Sequence, residues 1–132
     1  MAATFQLDVV AADHTVWSGE ATMVIARTLE GELGILANHA PLMGVLAPGP
    51  VEIRPADGNP LVAVVDGGFM SVANNRIAIL AENAEMADGI DPAQARQSLE
   101  DARRDADDSD ESQQAIAAAQ ARVDAAERAA AR

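Results

Sequence analysis

The side chains that could do chemistry are few. The chain has two histidines, His14 and His39, no cysteine and no lysine, so all nine basic residues are arginine. His39 lies in GELGILANHAPLMGVLAPG, residues 31–49, a stretch with four Gly, two Pro and the acid Glu32. A catalytic reading pairs His39 with Glu32 as a base and its orienting acid, but a nucleophilic triad also needs a serine held against the imidazole. Serines occur, yet none sits in a nucleophile elbow. Zinc takes three or four ligands, and two histidines without thiolates do not supply them, so no metal is expected. Gly31-Glu32-Leu33-Gly34 lacks the lysine and the helix start of a phosphate loop. Without lysine there is no Schiff base either. His14, in Ala12-Asp13-His14-Thr15, reads as a solvated turn residue. No catalytic residue is assigned and no cofactor is expected.

Without that chemistry, residues 31–49 are read for the shape of their backbone and for their apolar side chains. Gly and Pro shape a loop that presents Leu33, Ile35, Leu36, Leu42 and Met43. Two readings stay open: these side chains enter a core, or the loop is a rigid docking edge for another protein.

Bulk properties narrow the partners. The 132 residues suit one domain, or a small domain with an appendage. A net charge of −12 repels nucleic acid and anionic lipid. The N-terminal MAATFQLDVV has no basic flank, and nowhere do 18 apolar residues follow one another. Neither a secretory signal nor direct membrane insertion is expected. The lack of cysteine fits a reducing compartment.

Composition changes near Gly89, which predicts a β domain over residues 1–88 and a helical hairpin over 89–132. Residues 4–10, 21–28, 51–54, 61–65, 69–72 and 76–81 read as short strands. Ser18-Gly19, Pro48-Gly49-Pro50, Asp57-Gly58-Asn59-Pro60, Asp66-Gly67-Gly68 and Asn74-Asn75 read as the turns between them. This spacing predicts an antiparallel sandwich or barrel with an aliphatic core, which Trp17 either anchors or leaves to serve as a surface contact. Asp91 is a good N-cap and Pro92 a good first residue for a helix running to about Asp107. After the polar turn 107–112, a second helix is expected from about Gln113 to Arg132. One stripe marks each helix: Ala95, Leu99, Ala102 and Ala106, then Ile116, Ala119, Val123, Ala126 and Ala130. A buried methyl contributes about 0.8 kcal/mol, against about 1.5–3 for a whole Leu or Ile side chain. An antiparallel hairpin with only Leu99, Ile116 and Val123 as large side chains should therefore be helical but weakly docked.

The residues Glu30-Gly31-Glu32-Leu33-Gly34-Ile35-Leu36 and His39-Ala40-Pro41-Leu42 resemble a signature of the epsilon subunit family of rotary F-type ATP synthases. Leu7-Asp8-Val9-Val10 with Trp17-Ser18-Gly19, Asp66-Gly67-Gly68-Phe69 and Ile77-Ala78-Ile79-Leu80-Ala81-Glu82 resemble other segments of that family, in the same order.

The resemblance implies a flattened β-sandwich of about ten strands followed by a regulatory two-helix hairpin. It implies a non-catalytic rotor subunit of a proton-translocating machine, bound to the gamma subunit and to the ring of c subunits. It places the chain peripherally on the cytoplasmic face of the cell membrane. It implies a ring-facing loop with Gly31, Glu32, Gly34, His39, Pro41 and Leu42, in which His39 and Pro41 hold the shape. The tail would pack on the sandwich or extend toward the alpha and beta catalytic subunits, where Arg122, Arg128 and Arg132 would meet acidic segments and hinder ATP hydrolysis. Some members bind ATP through an Ile-Asp-x-x-Arg-Ala pattern with a Glu shortly before it. Here Glu85, Ile90 and Asp91 match, but Gln94 stands at the Arg position. Arg96 lies about 200° round the helix from Gln94 and does not substitute for it. A neutral amide is a poor exchange for a guanidinium on phosphate. Asp101, Asp105 and Asp107 add repulsion, so nucleotide binding should be weak or lost. The alternative is a free-standing β-sandwich protein-binding module with a helical tail.

Overall fold

The computed structural model of the chain describes residues 3–131. Eight strands come first: β1 (Phe5–Val10), β2 (Thr15–Thr28), β3 (Gly31–Leu36), β4 (Leu42–Pro55), β5 (Leu61–Val65), β6 (Gly68–Ala73), β7 (Arg76–Leu80) and β8 (Ala84–Met86). A 3-10 turn over Ala87–Gly89 leads into α1 (Pro92–Arg104) and α2 (Asp110–Ala130). The sheet order is β3-β2-β1-β7-β6-β4-β5-β8, and an extra β2–β4 pairing folds it back on itself. The pairings are antiparallel except β1–β7, which is parallel. β2 and β4 are 14 residues each and change partners along their length. Counting each of them twice reconciles eight strands with the ten of the flattened sandwich.

Alternation fills the interior. Leu7 and Val9 of β1, Val24 of β2, Ile35 of β3, Val51 and Ile53 of β4, Met70 of β6 and Ile79 of β7 are sealed from solvent. Phe5 is buried within this cluster, and the partly buried Trp17 packs against it.

Several turn signals proved to be strand. Ser18 and Gly19 lie inside β2, paired with Asp8 and Leu7. Gly19 makes room for a ring: a Cβ there would sit 3.1 Å from Trp17 Cη2. Pro48-Gly49-Pro50 is the joint of β4. Residues 42–46 pair with β6, and from Gly49 onward the strand pairs with β5. Against β2, Ala26 faces Val51 while Thr28 already faces Leu46, so the proline segment is a bulge. Proline lacks the ladder N–H and is tolerated where pairing is interrupted. By contrast, Asn74-Asn75 makes the expected two-residue hairpin, both at positive φ (53° and 59°).

The helices begin as the caps dictate. Asp91 accepts from the Ala93 amide at 3.0 Å, with Pro92 opening α1. α1 ends at Arg104, three residues before the expected end, and α2 opens at Asp110 behind the N-cap Ser109. In the turn, Ser109 and then Ser112 hydrogen-bond Asp107 and hold its carboxyl below the usual 3.8. A depressed carboxyl lends stability above its unfolded pKa and loses it as pH falls through the folded value, so acid loosens this turn. Arg96–Glu127 (3.5 Å) and Arg103–Gln120 (3.1 Å) set the antiparallel register.

The expected single stripe on α2 is incomplete. Val123 and Ala126 of the stripe are buried, but so are Ala121 and Ala125, which lie off it beside Asp124 and Arg128, the residues that pair with Arg27 and Glu52 of the sandwich. There they join Val62 and Val64 of β5, Ala87 and Ile90 in a second core. β5 is thus buried on both faces, Ala63 and Val65 inward, Val62 and Val64 toward α2.

Gly68 marks the tightest backbone approach. Its φ is +115°, and a Cβ would fall 2.1 Å from the Leu80 carbonyl oxygen. Gly68→Ala is expected to destabilise the sandwich by about 3 kcal/mol or more, combining strain with a backbone clash. Gly31→Ala, at φ +126° but with open space around it, should cost only about 1–2 kcal/mol. Urea denaturation of the two variants compares them directly.

Candidate protein-docking faces

The 31–49 stretch is mostly strand, not loop. Ile35 and Leu46 enter the core, Leu33 and Leu42 pack at its margin, and Leu36 and Met43 remain exposed. Its apolar side chains are thus divided between the core and the exposed surface. β3 is an edge strand, carrying Gly31, Glu32 and Gly34. Leu42 opens β4, and His39 and Pro41 lie exposed in the connection between them. Glu32 and His39 are therefore at opposite ends of β3, with about 13 Å of strand from Glu32 to Leu36 alone. They do not form an acid–base pair. Glu32 instead pairs in register with Arg27 and lies 3.9 Å from Arg128 of α2.

The His39 end is held by hydrogen bonds. The His39 ring Nδ1 lies 2.7 Å from the Ala40 carbonyl and donates to it as N–H. Asn75 ties the connection to the body. Its Oδ1 accepts from the Asn38 amide at 2.7 Å, and its Nδ2 donates to the Thr4 carbonyl at 2.8 Å. Asn38 is itself at φ 64°. Asn75 was legible only as a turn residue, because its second task depends on which chain ends meet in space.

The outer face of β4, β6 and β7 is apolar. Val45 faces Phe69 and Phe69 faces Leu80 across neighbouring strands. All three are about half exposed, and Met43 on the same side of β4 is 72% exposed. An outward apolar row of this kind is a candidate protein-docking face. Its signal in the sequence was that the outward phase of these strands, like the inward one, is hydrophobic.

The nucleotide-pattern residues do not converge. Asp91 is spent on capping α1, Ile90 is buried in the second core, and Gln94 points from the exposed side of α1. Glu85 lines a cleft of about 440 Å³ between the sandwich and α2, where Arg122 meets it at 2.8 Å. The same cleft carries Asp13, Asp66 and Glu82, and of the pattern only Glu85 lines it. His14 and Asp13 sit exposed at its rim, and their hydrogen bond holds the Asp13 carboxyl below 3.8. Four carboxylates against one guanidinium disfavour a triphosphate. Among the described residues no cluster of His, Cys, Asp and Glu could hold a metal, and no helix is long and apolar enough to cross a membrane.

Of the tail arginines, Arg122 pairs with Glu85 and Arg128 with Glu52 (3.5 Å) and Glu32, while Arg132 lies outside the described residues. Arg27 adds a reciprocal pair with Asp124 of α2 at 3.6 Å. Sequence patterning missed Arg27, Glu52 and Asp124, which become partners only once α2 lies across β4.

Asn75→Ala should speed amide exchange at Asn38 by about tenfold, the size of one lost hydrogen bond. Asn75→Asp keeps the acceptor and should leave Asn38 protected. Exchange read by NMR on the two variants separates them.

The family model for the ATP synthase Delta/Epsilon chain beta-sandwich domain matches residues 4–87. The ATP synthase epsilon chain of Streptomyces avermitilis is 52% identical over 107 residues, 81% of this chain and 86% of that one. The one from Streptomyces griseus is 49% identical over 124 residues, 94% and 93% of the two chains. Among solved structures, a chain of the Euglena gracilis mitochondrial ATP synthase, OSCP/F1/c-ring in rotational state 1, superposes with a TM-score of 0.74. It is 26% identical, with 99% of this chain and 82% of that chain covered. The epsilon chain is a non-catalytic subunit of its complex. By its sandwich, its hairpin and this similarity along most of its length, the chain belongs to the ATP synthase epsilon chain family.

Proposed function

We propose that the chain is a rotor subunit of a proton-translocating ATP synthase, joining the gamma subunit to the c-ring, with the C-terminal hairpin regulating ATP hydrolysis. The observation that carries this reading is the outward Val45–Phe69–Leu80 row on a sandwich whose core is already complete without it. A half-exposed Phe in such a row gains by burial against a partner. We assign this row to gamma. The c-ring is assigned to the β3 edge and the 37–41 connection, where Glu32 would meet polar or basic loop groups and His39 and Pro41 keep the backbone in shape. The chain then sits peripherally on the cytoplasmic face of the membrane through its partners.

The tail supports a switch. α2 rests on the sandwich through alanines and a few ion pairs, the kind of shallow contact a two-state element needs. Extended, Arg122, Arg128 and Arg132 would leave their partners here for acidic segments of the alpha and beta subunits. Nucleotide binding by the folded hairpin is weak or absent.

Two measurements test the reading. Phe69→Glu should leave the fold intact and weaken co-purification with gamma by roughly tenfold or more, and a chain ending at Asp88 should still fold and join the complex. Failure of wild-type chain to associate with gamma would overturn the assignment. Calorimetry with ATP should show no binding tighter than about 10 μM, a free energy of about −7 kcal/mol.

A further inference from the structure

Among the described residues, three arginines make four ion pairs between α2 and the sandwich, and they are not equivalent. Arg122–Glu85 and Arg27–Asp124 each join one residue of α2 to one of the sandwich. Arg128 instead lies between two carboxylates from two strands, Glu52 of β4 at 3.5 Å and Glu32 of β3 at 3.9 Å. Arg128 is only 34% exposed and Glu52 25%, whereas Glu32 is 56% exposed. Glu52 thus forms the sheltered half of the site, and Glu32 the half that faces out along the sheet edge.

The ground between these pairs is shallow. Ala121 and Ala125 supply methyls where α2 meets the sandwich, so little area holds the helix down. Charge therefore has leverage on docking that it lacks in a deeply packed interface. Removing α2 would leave Glu32 and Glu52 without the Arg128 cation on a chain of net charge −12. Glu32 would still have Arg27 beside it across the β2–β3 ladder.

We infer that Arg128 is an electrostatic latch whose catch is shared: the docked tail partly neutralises Glu32, so a cationic or hydrogen-bonding partner that engages Glu32 along the β3 edge favours release of the tail. By linkage the reverse holds equally, and a docked tail weakens that engagement. The identity of the edge partner as the c-ring rests on the rotor reading above. The latch itself is a property of the isolated chain.

The chain has no cysteine, which gives a clean probe. Ala125, on α2, is sealed in the second core with Val62 and Val64, so in an Ala125→Cys background the thiol reacts with a maleimide only when the tail lifts. Glu32→Gln and Glu52→Gln should each raise the labelling rate roughly two- to five-fold, the range for partly exposed pairs. Both effects should vanish in an Arg128→Gln background, and about 1 M salt should shrink them, since screening acts within a few ångströms there. A Glu32→Gln effect of the same size with and without Arg128, or none at all, overturns the latch.

In the assembled enzyme, the acid side and the arginine side should act in opposite directions. Glu52→Gln frees the tail with its cations intact and should lower ATP hydrolysis, whereas replacing Arg122, Arg128 and Arg132 with Ala removes the inhibitory cations and should raise it. A latch that passes in the isolated chain with hydrolysis unmoved by either change upholds the latch and sinks the regulatory reading of the tail.

Discussion

The arrangement depends on one shallow contact, the alanine face of α2 against Val62 and Val64 of β5. Small side chains let helix and sheet approach closely, but they remove little apolar area from water. Two valines and Ile90 at about 1.5–3 kcal/mol each and a few methyls at about 0.8 must offset the ordering of a hairpin held to the body by one short connection. The balance leaves room for surface ion pairs, individually worth under about 1 kcal/mol, to decide whether the tail lies down. In a Leu-rich interface the same pairs would be decoration.

β5 is the strand that makes this possible. Its sequence LVAVV has no polar phase, because one face completes the sandwich and the other receives the tail. β4 plays the complementary part. By bending at Pro48-Gly49-Pro50 it lends residues 42–46 to one layer and 49–53 to the other. Stiffness follows from closure: the pairings β2–β1–β7–β6–β4–β2 form a ring with no free end. Force applied at the β3 edge reaches the opposite layer through hydrogen-bonded strands and a close-packed core.

What the sequence displayed plainly was what local chemistry decides. Asp91-Pro92 started α1, Asn74-Asn75 made the tight hairpin, and the alternation of Phe5, Leu7 and Val9 gave β1 its buried face. What it concealed was decided by neighbours distant in the chain. Gly19 read as a turn until the Trp17 ring occupied its missing side chain, and the paired prolines read as a turn until β4 needed somewhere to change partners. The second face of α2 was hidden because alanine looks the same whether it is filling a helix or meeting a sheet. The candidate docking faces were half visible. Residue types singled out Glu32 and His39, but only the strand between them shows that they serve opposite ends of β3, one beside the tail and the other beside Asn75.

The placement of the two outer faces has a mechanical consequence. Val45, Phe69 and Leu80 point outward from the layer whose inward residues are Leu46, Met70 and Ile79. Val62 and Val64 point outward from the other layer, whose inward residues include Ala63 and Val65. The apolar row and the tail therefore occupy opposite sides of a sandwich whose layers lie about 10 Å apart. A partner gripping the row does not have to displace the tail, and a lifted tail does not loosen that grip. Only the β3 edge, where Glu32 lies within reach of Arg128, is common ground between the sandwich's edge and its tail. A signal from the edge therefore reaches the tail through one short-range electrostatic contact, with no rearrangement of the core required.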